Sequence, residues 1–316
     1  MKNFTLNDGN KIPALGLGTW KSQAGDAYQA VKEALRLGYR HIDAAWIYQN
    51  EAEVGQGIHE AIAEGFVKRQ DVFVTSKLWN SFHDPKDVEH GCRESLDALG
   101  LDYIDLYLMH WPIAFRPETF MPQSPDDFWP LSSLPLSKTF NAMLKLKALG
   151  LVKSVGVSNF SVKKLDQLIA ESGVVPAVNQ VELHPYNPQV ELLDYCRDHG
   201  IHLTAYSPLG SGDRPESMKA QNEPPLLENA NINEIAVSAG LSPAQILLAW
   251  AIDRGTSTIP KSTNPNRIAE NLAAQAYVLS DADRSKLDNI GIQFRYVSPQ
   301  QWFIPGVTYQ SDDFWD

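Results

Sequence analysis

Eight short apolar runs, each followed by a stretch of helical periodicity, constrain this 316-residue chain more than any other feature. The runs cover 15–18, 40–43, 72–77, 104–110, 152–158, 177–182, 202–206 and 257–260. Between them apolar residues recur three and four apart, as at Ala27, Ala30, Val31, Ala34 and Leu35 within 24–37. The same period runs through 85–99, 137–149, 161–169 and 188–199. Gly38, Gly100, Gly150 and Gly200 follow four of these stretches, where a helix commonly ends on a left-handed residue. Such alternation builds parallel βαβ units. An open doubly wound sheet would carry a G-x-G-x-x-G turn after its first strand. Gly16-Leu17-Gly18-Thr19-Trp20 lacks the third glycine. The expected fold is therefore α/β, a closed (β/α)8 TIM barrel. It is expected to form one domain over 1–316, with an N-terminal β-hairpin in which 4–6 and 11–13 flank Asn7-Asp8-Gly9-Asn10.

Such a barrel needs ~250 residues, so roughly 60 are surplus. They fall in 112–135, 209–225 and the aromatic tail 292–316. The first two follow the fourth and seventh strands. They are expected at the C-terminal face of the barrel, where long loops carry function.

Composition excludes several partners. A net charge of −11 argues against nucleic acid and anionic lipid. The longest apolar run, 246–252, is far short of the ~20 residues of a membrane span. The first residues lack the apolar region of a secretion signal. Cys92 and Cys196 form neither a metal-ligand spacing nor a disulfide framework. The expectation is a cytoplasmic protein without metal, acting on a small molecule, as a monomer or alternatively a dimer.

Chemistry belongs at the strand ends on the C-terminal face. Asp43, Lys77 and His110 end the second, third and fourth strands, and Tyr48 follows Asp43 by five residues. Singly, each has an ordinary structural explanation: a cap, a solvated charge, a satisfied core histidine, a packed ring. Together they read as a proton donor facing a carbonyl. A phenol with pKa ≈ 10 is too weak an acid at neutral pH. A neighbouring ammonium is expected to lower that value, and a carboxylate to compensate the ammonium. A hydride source is missing from this set and must be a cofactor.

Asp43-Ala44-Ala45-Trp46-Ile47-Tyr48-Gln49-Asn50-Glu51 closely resembles the D-A-A-x-x-Y-x-N-E signature of the aldo-keto reductases. Leu106-Tyr107-Leu108-Met109-His110-Trp111-Pro112, Gly156-Val157-Ser158-Asn159-Phe160 and Ile259-Pro260-Lys261-Ser262 also match. The resemblance covers essentially the whole chain and is nearest to the aldose, aldehyde and xylose reductase branch. It implies a barrel that binds NADPH in extended form, with NADH as a weaker alternative, and reduces aldehydes. It makes Tyr48 the acid, tuned by Lys77 and Asp43, and His110 the group that orients the carbonyl. It also makes Ser158, Asn159 and Gln180 partners of the nicotinamide carboxamide, and Tyr206 its stacking platform. Thr19, Trp20 and Lys21 join the cofactor set, and Ser207, Leu209 and Ser211 follow the pyrophosphate. Asp213, pairing with Lys21 and Lys261, folds a loop over the cofactor. Lys261, Ser262, Thr263 and Arg267 grip the 2′-phosphate, Glu270 and Asn271 hold the adenine end, and Asn264 joins the cofactor set.

The substrate pocket implied by the resemblance is Trp20, Ile47, Trp79, Trp111 and, from the tail, Trp302, with Phe303 or Ile304 as alternatives. It has no dedicated cation, so it is expected to take aldehydes broadly without selecting anions. Two alternatives remain open at this stage. One is a cofactor-binding, redox-sensing subunit with little turnover. The other is a glycosidase, for which Glu182 is a single strand-end carboxylate without an evident mate.

Overall fold

The computed structural model describes residues 2–307, 309, 314 and 315. The part of the tail expectation that falls on 308, 310–313 and 316 lies outside the described residues. A hairpin of β1 (Asn3–Thr5) and β2 (Lys11–Pro13) comes first, with Phe4 opposite Ile12. Eight parallel strands follow and pair in chain order. They are β3 (Leu17–Gly18), β4 (His41–Asp43), β5 (Phe73–Leu78), β6 (Ile104–Met109), β7 (Val152–Ser158), β8 (Val178–Glu182), β9 (His202–Tyr206) and β10 (Ser257–Thr258).

The barrel closes where the first strand meets the last. Leu15 bridges Thr258 and Gly18 bridges Lys261. Gly16 N–H donates to Thr258 O at 2.9 Å and Gly18 N–H to Pro260 O at 3.0 Å. A Cβ on Gly18 would stand 2.8 Å from the Ile259 carbonyl oxygen. Gly18 therefore lets two backbones approach at the seam, whereas a Cβ on Gly16 would meet the His41 imidazole at 2.6 Å. The hairpin seals the opposite end: Leu6 and Ile12 pack with Phe73, Leu106, Leu108, Ala177 and Val178.

Helices ring the sheet: α1 (Asp26–Leu37), α2 (Glu51–Ala63), α3 (Val88–Leu99), α4 (Leu136–Ala148), α5 (Val162–Ser172) and α6 (Val190–Asp198). Two more, α7 (Ala230–Ala239) and α8 (Pro243–Asp253), separate β9 from β10, and α9 (Pro265–Ala273) and α10 (Asp281–Asp288) follow. The apolar run 246–252 is the buried body of α8. No single described helix is long and apolar enough to cross a membrane. α1 shows why such segments fold as they do. Ala27, Ala30, Val31, Ala34 and Leu35 form its buried stripe, and Gly38, at φ 115°, takes its N–H back to Ala34 and Leu35.

The long loops meet above the C-terminal face as a second, aromatic core. Trp79, Trp111, Ile113, Phe115 and Phe128 pack there with Val297, Trp302, Val307, Tyr309 and Phe314 from the tail. The Tyr309 hydroxyl accepts from Ala114 N–H at 3.1 Å and donates to Trp129 O at 3.0 Å, tying tail to loop. Six of the eight strands differ from the sequence reading by one or two residues at an end. Of those that bear on the site, β5 runs one residue past Lys77, and β6 stops one residue before His110.

Candidate active site

Alternating residues of a strand face opposite sides, and the closed sheet brings the four candidates together. Lys77 Nζ donates to Asp43 Oδ1 at 2.6 Å and to Ala44 O at 2.8 Å, and lies 3.4 Å from the Tyr48 hydroxyl. Asp43 Oδ2 accepts from Gln180 Nε2 at 2.8 Å. The Tyr48 and His110 rings are 5.8 Å apart, edge to face. Lys77 and Asp43 are buried, while Tyr48 and His110 line a cavity of about 1360 Å³.

Electrostatics correct one expectation. Tyr48 sits well above the usual tyrosine value, because burial and then the Asp43 and Glu51 carboxylates disfavour phenolate. The sequence reading had Lys77 lowering it. The ammonium is instead neutralised by contact with Asp43, so desolvation wins. Lys77 itself is lowered by burial, against which Asp43 pulls upward. His110 lies well below the usual histidine value, through burial and the positive charge of Lys77. The resting site thus holds a protonated phenol beside a neutral imidazole.

The proposed cofactor residues also converge on the cavity. Thr19, Trp20, Lys21, Ser158, Asn159, Gln180, Tyr206, Ser207, Leu209, Ser211 and Asp213 line it, as do Lys261, Ser262, Thr263, Asn264, Arg267, Glu270 and Asn271. Several are locked to one another. Ser158 Oγ donates to Gln180 O at 2.8 Å, and Asn159 Nδ2 to His110 O at 3.0 Å. The Tyr206 hydroxyl donates to Asn159 Oδ1 at 2.8 Å, and Thr19 Oγ1 to Asp43 O at 2.8 Å. Lys21, Asn159, Ser207 and Ser211 all have positive φ (62°, 66°, 46° and 49°), a strain concentrated at the cavity rim. Asp213 pairs with Lys21 at 2.5 Å and Lys261 at 3.2 Å, linking the loop after β9 to the ends of β3 and β10. Asn264 acts on its own helix, where its Oδ1 accepts from Asn266 N–H and Arg267 N–H and caps α9.

The expected pocket residues Trp20, Ile47, Trp79, Trp111 and Trp302 line the same cavity. Trp302 packs edge to face on Trp79, Trp111 and Phe115, at 5.9, 5.3 and 5.4 Å. Three features were missed. Glu182 is fully buried, and its two oxygens accept from Tyr296 N–H and Val297 N–H, both at 2.7 Å, which anchors the tail. It is therefore a clamp, not half of a glycosidase pair. Arg214 is buried and bonds Ser211 O, Met218 O, Tyr296 O and Glu223. Arg295, which the sequence reading assigned no role, also lines the cavity. Its sequence signal was present in the run from Ile292 to Tyr296, but which way the side chain faces is a tertiary fact.

A closed parallel barrel with a buried carboxylate–ammonium–phenol group and an imidazole at its mouth defines a class of enzyme, and comparison with known proteins agrees. Residues 14–292 match the Aldo/keto reductase family. An aldo/keto reductase of Synechocystis sp. is 49% identical over 316 residues, covering 100% of this chain and 97% of that protein. Aldo-keto reductase family 1 member A1 of Gallus gallus is 46% identical over 296 residues, 93% of this chain and 90% of the relative. The structure of the aldose reductase from Schistosoma japonicum superposes with a TM-score of 0.87 at 36% identity, covering 95% of this chain and 96% of that one. The chain belongs to the aldo/keto reductase family. It is an oxidoreductase of that kind, and its fold is the family's barrel.

Proposed function

We propose that this protein reduces aldehydes to alcohols with NADPH, using Tyr48 as general acid. Its substrates would be aldoses, aliphatic and aromatic aldehydes, and some ketones. One observation carries the reading. The Tyr48 hydroxyl lines the cavity 3.4 Å from an ammonium that a buried carboxylate holds in place.

The residues present fit a nicotinamide dinucleotide. The cavity exceeds the ~300–1,000 Å³ of a usual small-ligand site, and it reaches from Tyr48 to the first turn of α9. At that far end Lys261, Ser262, Thr263 and Arg267 offer cations and hydroxyls, the donors a phosphate takes. Arg267 is in no ion pair among the described residues, which favours a cofactor with an additional phosphate and leaves NADH the weaker choice. Glu270 and Asn271 would hold the adenine, and Ser158, Asn159, Gln180 and Tyr206 the nicotinamide. When bound, this cofactor supplies the hydride.

Tyr48 keeps its proton at neutral pH and releases it to the carbonyl oxygen as that oxygen gains charge. The Lys77 ammonium then faces the phenolate, which takes a new proton from solvent. Neutral His110 donates a hydrogen bond and orients the carbonyl. The tryptophans exclude water and hold the apolar part of the aldehyde. Both cysteines are free, buried thiols, in keeping with a reducing, cytoplasmic setting.

Tyr48→Phe tests the reading. It should lower kcat by ~10²–10⁴ while NADPH affinity stays near wild type. A variant that keeps most of its activity removes Tyr48 from the acid's role. A wild-type chain that binds NADPH and reduces no aldehyde would instead favour a redox-sensing subunit.

A further inference from the structure

Tyr48 is the one member of the acid–base group that no strand carries. It ends the single 3-10 turn Trp46–Tyr48, and Gln49 after it takes a φ of 55°. Strand pairing sets Asp43 opposite Thr75, but it cannot register a residue in a turn. What holds this turn comes after it. Asn50 Nδ2 donates to Thr19 O at 2.9 Å, and Glu51, the first residue of α2, accepts from the Ser76 hydroxyl.

The second of these ties reaches the chemistry. Ser76 directly precedes Lys77 on β5. Successive strand residues face opposite sides, so Lys77 points into the barrel and Ser76 toward the helices. Lys77 Nζ in turn lies 3.4 Å from the Tyr48 hydroxyl. Tyr48, Glu51, Ser76 and Lys77 therefore close a ring through the barrel wall, made of two stretches of backbone and two polar contacts. Ser95 of α3 stands beside it, with its hydroxyl 3.5 Å from that of Ser76.

Glu51 is 4% exposed, so its charge acts with little screening by water. The ionisable groups that face it are Tyr48, Lys77 of β5, Cys92 of α3 and Tyr107 of β6. Burial holds Cys92 up to about 12 and Tyr107 well above the usual tyrosine value, so both stay neutral. Lys77 is the one cation among them, and Asp43 touches it from the other side at 2.6 Å. The Glu51 charge thus falls on the pair that handles the proton. It pulls Lys77 upward, and it adds to burial and Asp43 in raising Tyr48.

We propose that Glu51 is a positioning residue for the reduction: its tie to Ser76 sets Tyr48 against Lys77, and its charge favours the protonated form of both. This rests on the proposed role of Tyr48 as the acid.

Two variants separate the charge from the tie. Glu51→Gln keeps the shape and an acceptor for Ser76 but loses the charge. Ser76→Ala loses the tie and keeps the charge. The full-length wild type, both variants and Tyr48→Phe are labelled with 13Cζ-tyrosine. The resonance absent from Tyr48→Phe belongs to Tyr48, and its shift from neutral to alkaline pH reads phenol ionisation without cofactor or aldehyde. In Glu51→Gln, Tyr48 should ionise ~1 pH unit lower than in the wild type, and the alkaline fall in kcat with NADPH and an aldehyde should move with it. In Ser76→Ala, Tyr48 should ionise at the wild-type pH, while kcat falls on the order of 10-fold with KM little changed. A Glu51 that only supports the fold would lower the melting temperature and leave both readouts alone. The inference is overturned if Tyr48 has the same ionisation state at every pH in wild type and Glu51→Gln, or if Ser76→Ala keeps the wild-type kcat. Should Glu51→Gln not fold, the kcat of Ser76→Ala decides. Should the wild type reduce no aldehyde, the proposed function falls, and the Tyr48 resonance still decides the effect of the Glu51 charge.

Discussion

The Lys77 ammonium and the Asp43 carboxylate touch at 2.6 Å with side-chain exposures of 1% and 2%, so each is the other's compensation for leaving water. Removing one partner strands a buried charge, at a cost of about 3–5 kcal/mol. Asp43→Asn and Lys77→Met should each destabilise the fold by that order. The double variant should be more stable than the sum of the two predicts. Urea unfolding of all four proteins reads this directly. Strict additivity would mean that the contact is not a coupled pair.

Stability should fall steeply on the acid side of neutrality. His41 and His83 are pushed down to about 3 and His202 to about 4 by burial, and His110 well below the ordinary value chiefly by the same cause. Below the unfolded value near 6.5, the unfolded chain protonates these imidazoles and the native one does not. The native state therefore loses stability as pH drops. Glu51 works the other way. Burial raises it to about 7, so between its unfolded value and 7 the native state holds the extra proton. The net excess near pH 5 is about three protons on the unfolded chain, a slope of ~4 kcal/mol per pH unit. Unfolding free energies measured from pH 7 to 5 check this, and a level profile would contradict it.

Much of this architecture was legible because it rests on local chemistry. The alternation of runs and periodic stretches located these strands and helices to within three residues, since stripes such as that of α1 are buried as written. The ends of β4, β5 and β6 placed Asp43, Lys77 and His110 near one another because strands pair in chain order. What escaped depends on contacts between distant segments. The protonation of Tyr48 turns on how tightly Asp43 holds Lys77, which spacing does not encode. The glycines at 16 and 18 carry a turn-like pattern but serve the seam with β10. Glu182 looked like a lone strand-end acid until its partners, 114 and 115 residues downstream, were in view.

Cofactor choice offers a separate test. Arg267 is exposed at the first turn of α9, and only its backbone N–H is engaged, by the Asn264 cap. If its guanidinium reads the 2′-phosphate, Arg267→Ala should weaken NADPH binding by ~10- to 150-fold, the value of a charged hydrogen bond. NADH binding should change much less. Fluorescence titration of both cofactors gives the comparison, and equal losses would place Arg267 away from that phosphate.

The clamp at Glu182 makes the last prediction. Its carboxylate accepts two consecutive backbone N–H groups, those of Tyr296 and Val297, and its Oε1 is also 2.8 Å from His184 Nε2. Glu182→Gln keeps the shape but turns one acceptor into a donor that faces an N–H. A buried N–H then has no acceptor, at a cost of ~1–3 kcal/mol, and the segment carrying Val297 and Trp302 loosens. Those two residues belong to the aromatic wall with Trp79 and Trp111, so KM for bulky aldehydes should rise more than KM for small ones. NADPH affinity should fall less. The loop bearing Asp213 keeps the Arg214 bonds to Ser211, Met218 and Glu223, none of which passes through Glu182. The measurement is a series of aldehydes of increasing bulk at saturating NADPH, with cofactor affinity determined separately. A variant with the wild-type substrate ranking, or one whose NADPH affinity falls as far as its substrate affinity, would show that the clamp does not set the pocket wall.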